Sequence, residues 1–182
     1  MKILSGIRKG IERARGALAQ QGRPLRFVRK YGPAVLLAII LLLPFVFRPL
    51  VVTGGSMEPT YHEGQVVLFE KITPHLHMWR GEVLVILNPH DHKVTEIKRV
   101  VGLPNETVEM GSDGISITGV NGAHSQFSTG TPVGGTGNGT FKIKLGPEDY
   151  MVLGDNRSKS SDSRSFGAVQ MVDIIGHVIM SI

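Results

Sequence analysis

Val94-Thr-Glu-Ile-Lys-Arg-Val-Val-Gly-Leu-Pro104 decides the fold of this chain. Read as a strand, it places Val94, Lys98 and Val100 on one side and Ile97, Arg99 and Val101 on the other, so that a lysine shares a face with apolar residues. Working outward, short apolar runs of the same kind recur at residues 66–69, 83–87, 115–117, 141–145, 150–153 and 174–179. They are separated by turns that hold most of the 23 glycines. Asp113-Gly114 marks the tip of a hairpin spanning residues 109–114, and residues 124–139 read as a Gly/Ser/Thr-rich loop. No helical period survives beyond Leu50 and no internal repeat is visible. The expectation is an all-β domain of about 130 residues.

Upstream the pattern changes. Residues 31–47 contain no charged side chain over 17 positions, at the short end of the roughly 17 to 25 residues that cross a bilayer core. Pro33 is expected in the first helical turn and Pro44 near the last, where it kinks or thins the helix. Before this run, residues 1–30 carry nine basic side chains and one acid, Glu12, a balance of +8. A basic head followed at once by an uncharged run predicts a membrane anchor over residues 31–49, with residues 1–30 cytoplasmic and residues 50–182 outside the membrane. Arg48-Pro49 stands where a cleaved leader would need small residues, so the anchor is read as retained. Ile3, Ile7, Ile11, Ala14 and Leu18 fit either an amphipathic helix on the inner membrane surface or a disordered basic tail.

Charge and composition exclude several classes. The whole chain of 182 residues is +5, but residues 31–182 hold 11 basic and 14 acidic side chains, a balance of −3. The body therefore lacks the basic face that a nucleic-acid partner requires. Zero cysteines remove disulfides, cysteine zinc sites and thiol nucleophiles. His75-x-His77 and His90-x-His92 have no acidic or cysteine partner at ligand spacing, so no metal or organic cofactor is expected.

Three segments can carry chemistry. Ser56 follows Gly54-Gly55 at a strand end, which suits an exposed nucleophile whose own N–H helps bind an oxyanion, although serine beside glycine also makes plain turns. None of the seven histidines sits in a triad context. Lys98 is the other base: burial disfavours an ammonium, and a neutral amine accepts protons. The same alternation also fits a lysine that guards a sheet edge. Gly154-Asp-Asn-Arg157-Ser-Lys-Ser160-Ser-Asp162-Ser-Arg164-Ser-Phe-Gly167 is either a solvated loop or a platform in which Ser160 orients a lysine amine and an Asp162–Arg164 ion pair fixes the loop.

Together these segments resemble the type I signal peptidases, membrane-anchored Ser/Lys proteases of the S26 class, in a compact single-span form. Gly55-Ser56-Met57-Glu58-Pro59-Thr60 is similar to the nucleophile box, Arg80-Gly81-Glu82-Val83 to the following strand entry, and Lys98-Arg99-Val100-Val101-Gly102-Leu103-Pro104 to the general-base box. Gly154-Asp155-Asn156-Arg157 through Gly167 is similar to the final box. The resemblance implies a coiled β-sheet fold, Ser56 as acylating nucleophile and Lys98 as general base. It further implies that Ser160 hydrogen-bonds the lysine amine, that Asp162 and Arg164 support it, and that Asp155 helps hold the loop. The implied substrates are exported preproteins with small residues at positions −1 and −3, bound as an added strand, and the implied surroundings are membrane lipid near the secretion translocon. Gly54 stands where some members carry a serine that completes the oxyanion hole, so the resemblance implies a hole made of backbone N–H groups, that of Ser56 with one further donor unassigned. Glu58 carries no assigned role.

Two rival peptidases share the dyad: conjugative-transfer maturation peptidases with one dedicated substrate, and self-cleaving SOS repressors. The second is disfavoured by the anchor and by the lack of a DNA-binding helix-turn-helix. An inactive, membrane-tethered binding homologue is the alternative from outside enzymology, and retention of Ser56, Lys98 and Ser160 speaks against it.

Overall fold

The computed structural model describes residues 28–72, 77–111, 114–128 and 140–182. The expectation for the segment containing Ile3 to Leu18 lies outside them, as does most of the loop at 124–139. The chain divides into two units at Phe45/Val46.

In the first unit, helix α1 (Val28–Val46) is 19 residues long, which at about 1.5 Å per residue nearly matches a hydrocarbon core of about 30 Å. Leu36, Leu37, Ile39, Ile40, Leu41 and Leu42 are all exposed along it. The helix starts earlier than the uncharged run and stops sooner: Pro33 lies beyond the first turn, and the chain is already extended at Phe47.

Among its described residues the second unit contains eleven strands: β1 (Phe47–Val51), β2 (Val66–Glu70), β3 (Val83–Asn88), β4 (Asp91–Gly102), β5 (Thr107–Gly111), β6 (Gly114–Thr118), β7 (His124–Phe127), β8 (Phe141–Lys144), β9 (Asp149–Leu153), β10 (Val169–Gln170) and β11 (Ile174–Ser181). A short helix α2 (Ser163–Phe166) precedes β10. Every pairing is antiparallel, in a seven-stranded sheet of order β1-β2-β11-β3-β4-β9-β10 and a four-stranded sheet of order β7-β6-β5-β8.

The apolar run of β3 follows from burial on both sides. Val83 and Val85 join Val52, Met57, Val67, Phe69 and Ile97 in one cluster, while Leu84 and Ile86 join Val100, Val152, Val169 and Ile174 in another. A third cluster, built on Val101, Val108, Met110, Ile115, Ile117, Leu145 and Leu153, joins the two sheets. The hairpin expected around Asp113-Gly114 is closed by the Gly111–Gly114 pair of β5 and β6.

Two segments depart from the sequence reading. Residues 47–49, assigned to the anchor, belong to β1, whose single neighbour among the described residues is β2. An edge strand tolerates Pro49 because its missing N–H can fall on the unpaired side. Residues 124–127, assigned to a loop, form β7 beside β6; this strand is mostly exposed, so it carries no apolar alternation to reveal it.

Three strands separate β1 from β4 in the sheet order. In a flat sheet, four steps of about 4.8 Å would hold them roughly 19 Å apart. Instead residues 50–53 and residues 94–98 line one cleft of about 430 Å³, so the sheet coils until these two strands face each other. Among the described residues the outer edge of β1 is unpaired, and β9 reaches β4 only at residues 99–102, which leaves residues 94–98 paired on the β3 side alone.

Candidate active site

Ser56 stands on a pinned turn. The Val52 N–H donates to the Gln65 carbonyl at 2.8 Å, and the Val52 carbonyl accepts from Gly64 at 2.9 Å. Gly54 then takes φ = +77°, a backbone region where a β-carbon is strained. Met57 is 1% exposed and plugs into the core, holding the backbone on the far side of Ser56. The Ser56 carbonyl accepts from the Asn156 N–H at 2.9 Å, which binds the turn to the loop after β9.

Lys98 enters the cleft from β4, opposite Leu84 on β3. It is only 2% exposed, the largest side chain among the described residues buried so completely. Its Nζ donates to Ser56 Oγ at 3.2 Å. The same Nζ lies 2.7 Å from Glu96 Oε2, two residues back on the same face of β4. The other carboxylate oxygen, Glu96 Oε1, accepts from Asn88 Nδ2 at 2.6 Å. Ser56, Glu96 and Lys98 all line the cleft, together with Lys159 and Ser161 from the terminal loop.

Ser160 is placed beside this cluster without the contact expected of it. Its Oγ is buried and hydrogen-bonds neither Lys98 nor any other described group. It abuts Gly154, where an added β-carbon would fall on Ser160 Oγ and within 2.6 Å of the Ser56 carbonyl oxygen. The physical reason lies on β4: a carboxylate is a stronger acceptor for an ammonium than a hydroxyl, and Glu96 holds the amine.

Asp162 and Arg164 form the ion pair that the sequence suggests. Asp162 caps α2 and closes a capping box with Ser165. Its Oδ2 also accepts from the Gly154 N–H at 3.1 Å, and Arg164 grips both oxygens, Nε to Oδ1 at 2.8 Å and Nη2 to Oδ2 at 2.9 Å. Arg164 Nη2 donates onward to the Arg157 carbonyl at 2.7 Å. Burial alone would push the Asp162 carboxyl upward; Arg164, the Gly154 N–H and the nearby Ser160 hydroxyl outweigh it and hold it below its ordinary value. Ser160 acts on Asp162 through proximity, outside hydrogen-bond geometry.

Asp155 faces the opposite way. It accepts from Thr60 Oγ1 at 2.6 Å and takes both arms of Arg99, Nε to Oδ1 at 2.8 Å and Nη2 to Oδ2 at 2.6 Å. Arg99 Nη1 donates to the Gly81 carbonyl at 2.6 Å. Burial again works upward on Asp155, and Arg99 with Thr60 brings it below its ordinary value. Buried Arg157, whose Nε donates to the Gly154 carbonyl at 2.8 Å, is pulled below its usual range, chiefly by desolvation.

Arg99, Thr60, Glu96 and Asn88 are the site residues that sequence reasoning missed. Strand alternation did place Arg99 on the face away from Lys98, and a partly buried guanidinium there calls for an acid. Nothing local in the sequence says which acid supplies it. Among the described residues no group of three metal-ligating side chains converges.

The profile of the family described as signal peptidase, peptidase S26, matches residues 25–182. Signal peptidase I T of Bacillus subtilis (strain 168) is 34% identical over 157 residues, covering 81% of each chain. Signal peptidase I V of the same organism is 36% identical over 142 residues, covering 72% of this chain and 83% of that one. A crystal structure of a signal peptidase I from Enterococcus faecalis V583 overlays with a TM-score of 0.46 at 28% identity, covering 57% of this chain and 97% of that one, too partial an overlay to carry weight. The matched profile spans the coiled sheet and the Ser56–Lys98 cleft alike, and the chain belongs to the signal peptidase S26 family, as a peptidase of the signal peptidase I kind.

Proposed function

We propose that this peptidase removes signal peptides from exported preproteins by acyl-enzyme chemistry, with Ser56 as nucleophile and Lys98 as general base. The observation that carries the reading is the 3.2 Å approach of Lys98 Nζ to Ser56 Oγ inside a cleft bordered by two unpaired strand edges. A hydroxyl attacks a carbonyl at neutral pH only when a positioned base takes its proton. As Oγ bonds to the scissile carbon, its proton passes to the free Lys98 amine. The ammonium then protonates the leaving amine as the C–N bond breaks. For deacylation the amine takes a proton from water, the water oxygen adds to the acyl carbon, and the proton returns to Oγ as the ester opens. The Ser56 N–H is the backbone donor assigned to the oxyanion.

The free edges of β1 and β4 suit a substrate that adds as an extended strand, its main chain paired to theirs. The substrates assigned to it carry small residues at positions −1 and −3 before the cleaved bond. Helix α1 supplies the span, with the basic head cytoplasmic and the β body outside, where lipid and an emerging preprotein meet the cleft at high effective concentration. Asp162, Arg164 and Asp155 support the site by fixing the loop that closes it, the loop that also carries Ser160.

The test is cleavage of a preprotein carrying an Ala-x-Ala site by the full chain in lipid or detergent, compared with Ser56→Ala and Lys98→Ala. Folded but inactive variants are the expected result. Near-full activity of Lys98→Ala overturns the base assignment.

A further inference from the structure

The Lys98 amine has two partners, and the closer one takes no part in the chemistry above: Glu96 Oε2 at 2.7 Å, against Ser56 Oγ at 3.2 Å. Glu96 and Lys98 project from the same face of β4 and both are largely withdrawn from solvent, with side-chain exposures of 17% and 2%. Asn88, from the end of β3, fixes the outer carboxylate oxygen at 2.6 Å, so the anion is held rather than swinging freely. We propose that Glu96 is a positioning residue for Lys98: its carboxylate holds the amine in the cleft as an ion pair in the resting enzyme, and so sets the pH above which the amine is free to take the Ser56 proton. The inference rests on the reading of Lys98 as the base.

The charges around the cleft leave Glu96 as the dominant neighbour. From the terminal loop, Lys159 lines the same cleft, but it is 68% exposed and lies 3.9 Å from Glu58. Asp162 is already committed to Arg164, and Asp155 to Arg99. Residues 50–53 and Ser56 bring no charge to the lining, and β3 presents Leu84 opposite Lys98. An anion touching an amine favours its protonated form. In the resting pair the proton must therefore leave to solvent before Lys98 works as a base, and after acylation the carboxylate again faces the ammonium that carries the Ser56 proton. Ser160, whose Oγ has no hydrogen-bond partner among the described residues, does not hold the amine in this state.

The test is the pH profile of kcat/KM for the full chain in lipid or detergent, acting on a preprotein with an Ala-x-Ala site. Glu96→Gln keeps the shape and the Asn88 contact while removing the charge. Its rising limb is expected about one pH unit below that of the wild type, so that on the acidic side the variant outruns the wild type by up to about tenfold. Glu96→Asp, with a shorter arm, is expected to fall between the two. A Gln profile that superimposes on the wild type, or moves to higher pH, overturns the proposal. Thermal melting of each variant reports folding; if the Gln variant fails to fold, an Asp profile identical to the wild type overturns it instead. Cleavage that persists in Lys98→Ala is a separate result, and it removes the reading of Lys98 as base rather than the role of Glu96.

Discussion

Arg99 grips Asp155 with two parallel hydrogen bonds, 2.8 Å from Nε and 2.6 Å from Nη2, across 56 residues of chain. The pair sits where three segments meet. Asp155 also holds Thr60 from the nucleophile turn, and Arg99 also holds the Gly81 carbonyl from the entry to β3. Because Arg99 immediately follows Lys98 on β4, this clamp fixes the strand that presents the base against the loop that closes the site.

Arg99→Lys keeps the charge but loses the planar fork, and one ammonium cannot satisfy both Asp155 oxygens and the Gly81 carbonyl. Breaking a buried pair from one side leaves the other charge uncompensated, at a cost of about 3 to 5 kcal/mol for full removal. The lysine variant should lose roughly 2 kcal/mol in urea unfolding, and Asp155→Ala more than that. Equal midpoints for wild type and both variants would show that the clamp carries no stability.

Acid stability follows from the same carboxylates. Asp155 and Asp162 both titrate below their ordinary value of 3.8 in the folded state. The unfolded chain therefore binds protons at a pH where the folded chain does not. Their contribution is fully present above the unfolded value and is lost as pH falls through the lower folded values. Urea midpoints should hold on this account down to about pH 4 and drop below it, and Asp162→Asn should weaken that part of the acid dependence. An unchanged acid slope in Asp162→Asn would contradict the assignment.

Gly154→Ala tests the close approach behind the nucleophile. The new β-carbon meets Ser160 Oγ and the Ser56 carbonyl oxygen, one of which has to move. Overpacking of this kind costs about 1 to 3 kcal/mol, and here the displaced backbone belongs to Ser56. Cleavage should fall by at least about tenfold in a protein that still melts cooperatively. A variant with wild-type cleavage would mean that the turn yields without moving Oγ.

How much of this was legible beforehand follows from burial. β3 buries both faces and shows in the sequence as an apolar run, while the second half of β4 is largely buried and shows as apolar residues interrupted by Lys98 and Arg99. β1 reads as the tail of the helix because it is a half-exposed edge strand containing Arg48 and Pro49. β7 is polar and exposed, and it takes its partner from β6 rather than from any pattern of its own. At the site, Ser56 and Lys98 stood out through their motifs, and Asp162 with Arg164 through a spacing of two. The Arg99–Asp155 pair and the Glu96–Asn88 contact are set by which strands lie side by side, which local sequence does not encode.

Ser160→Ala separates a structural from a catalytic hydroxyl. In the structure its Oγ is buried without a hydrogen bond, which is a cost to the fold rather than a support. Removing it should leave unfolding free energy unchanged or raise it by up to about 1 kcal/mol, with the Asp162–Arg164 pair intact. If the hydroxyl receives the Lys98 amine only during turnover, when Glu96 has released it, kcat should fall while KM and stability stay where they are. A loss of stability in step with activity would instead assign Ser160 to the architecture of the loop, through its proximity to Asp162, and leave Glu96 to orient the base unaided.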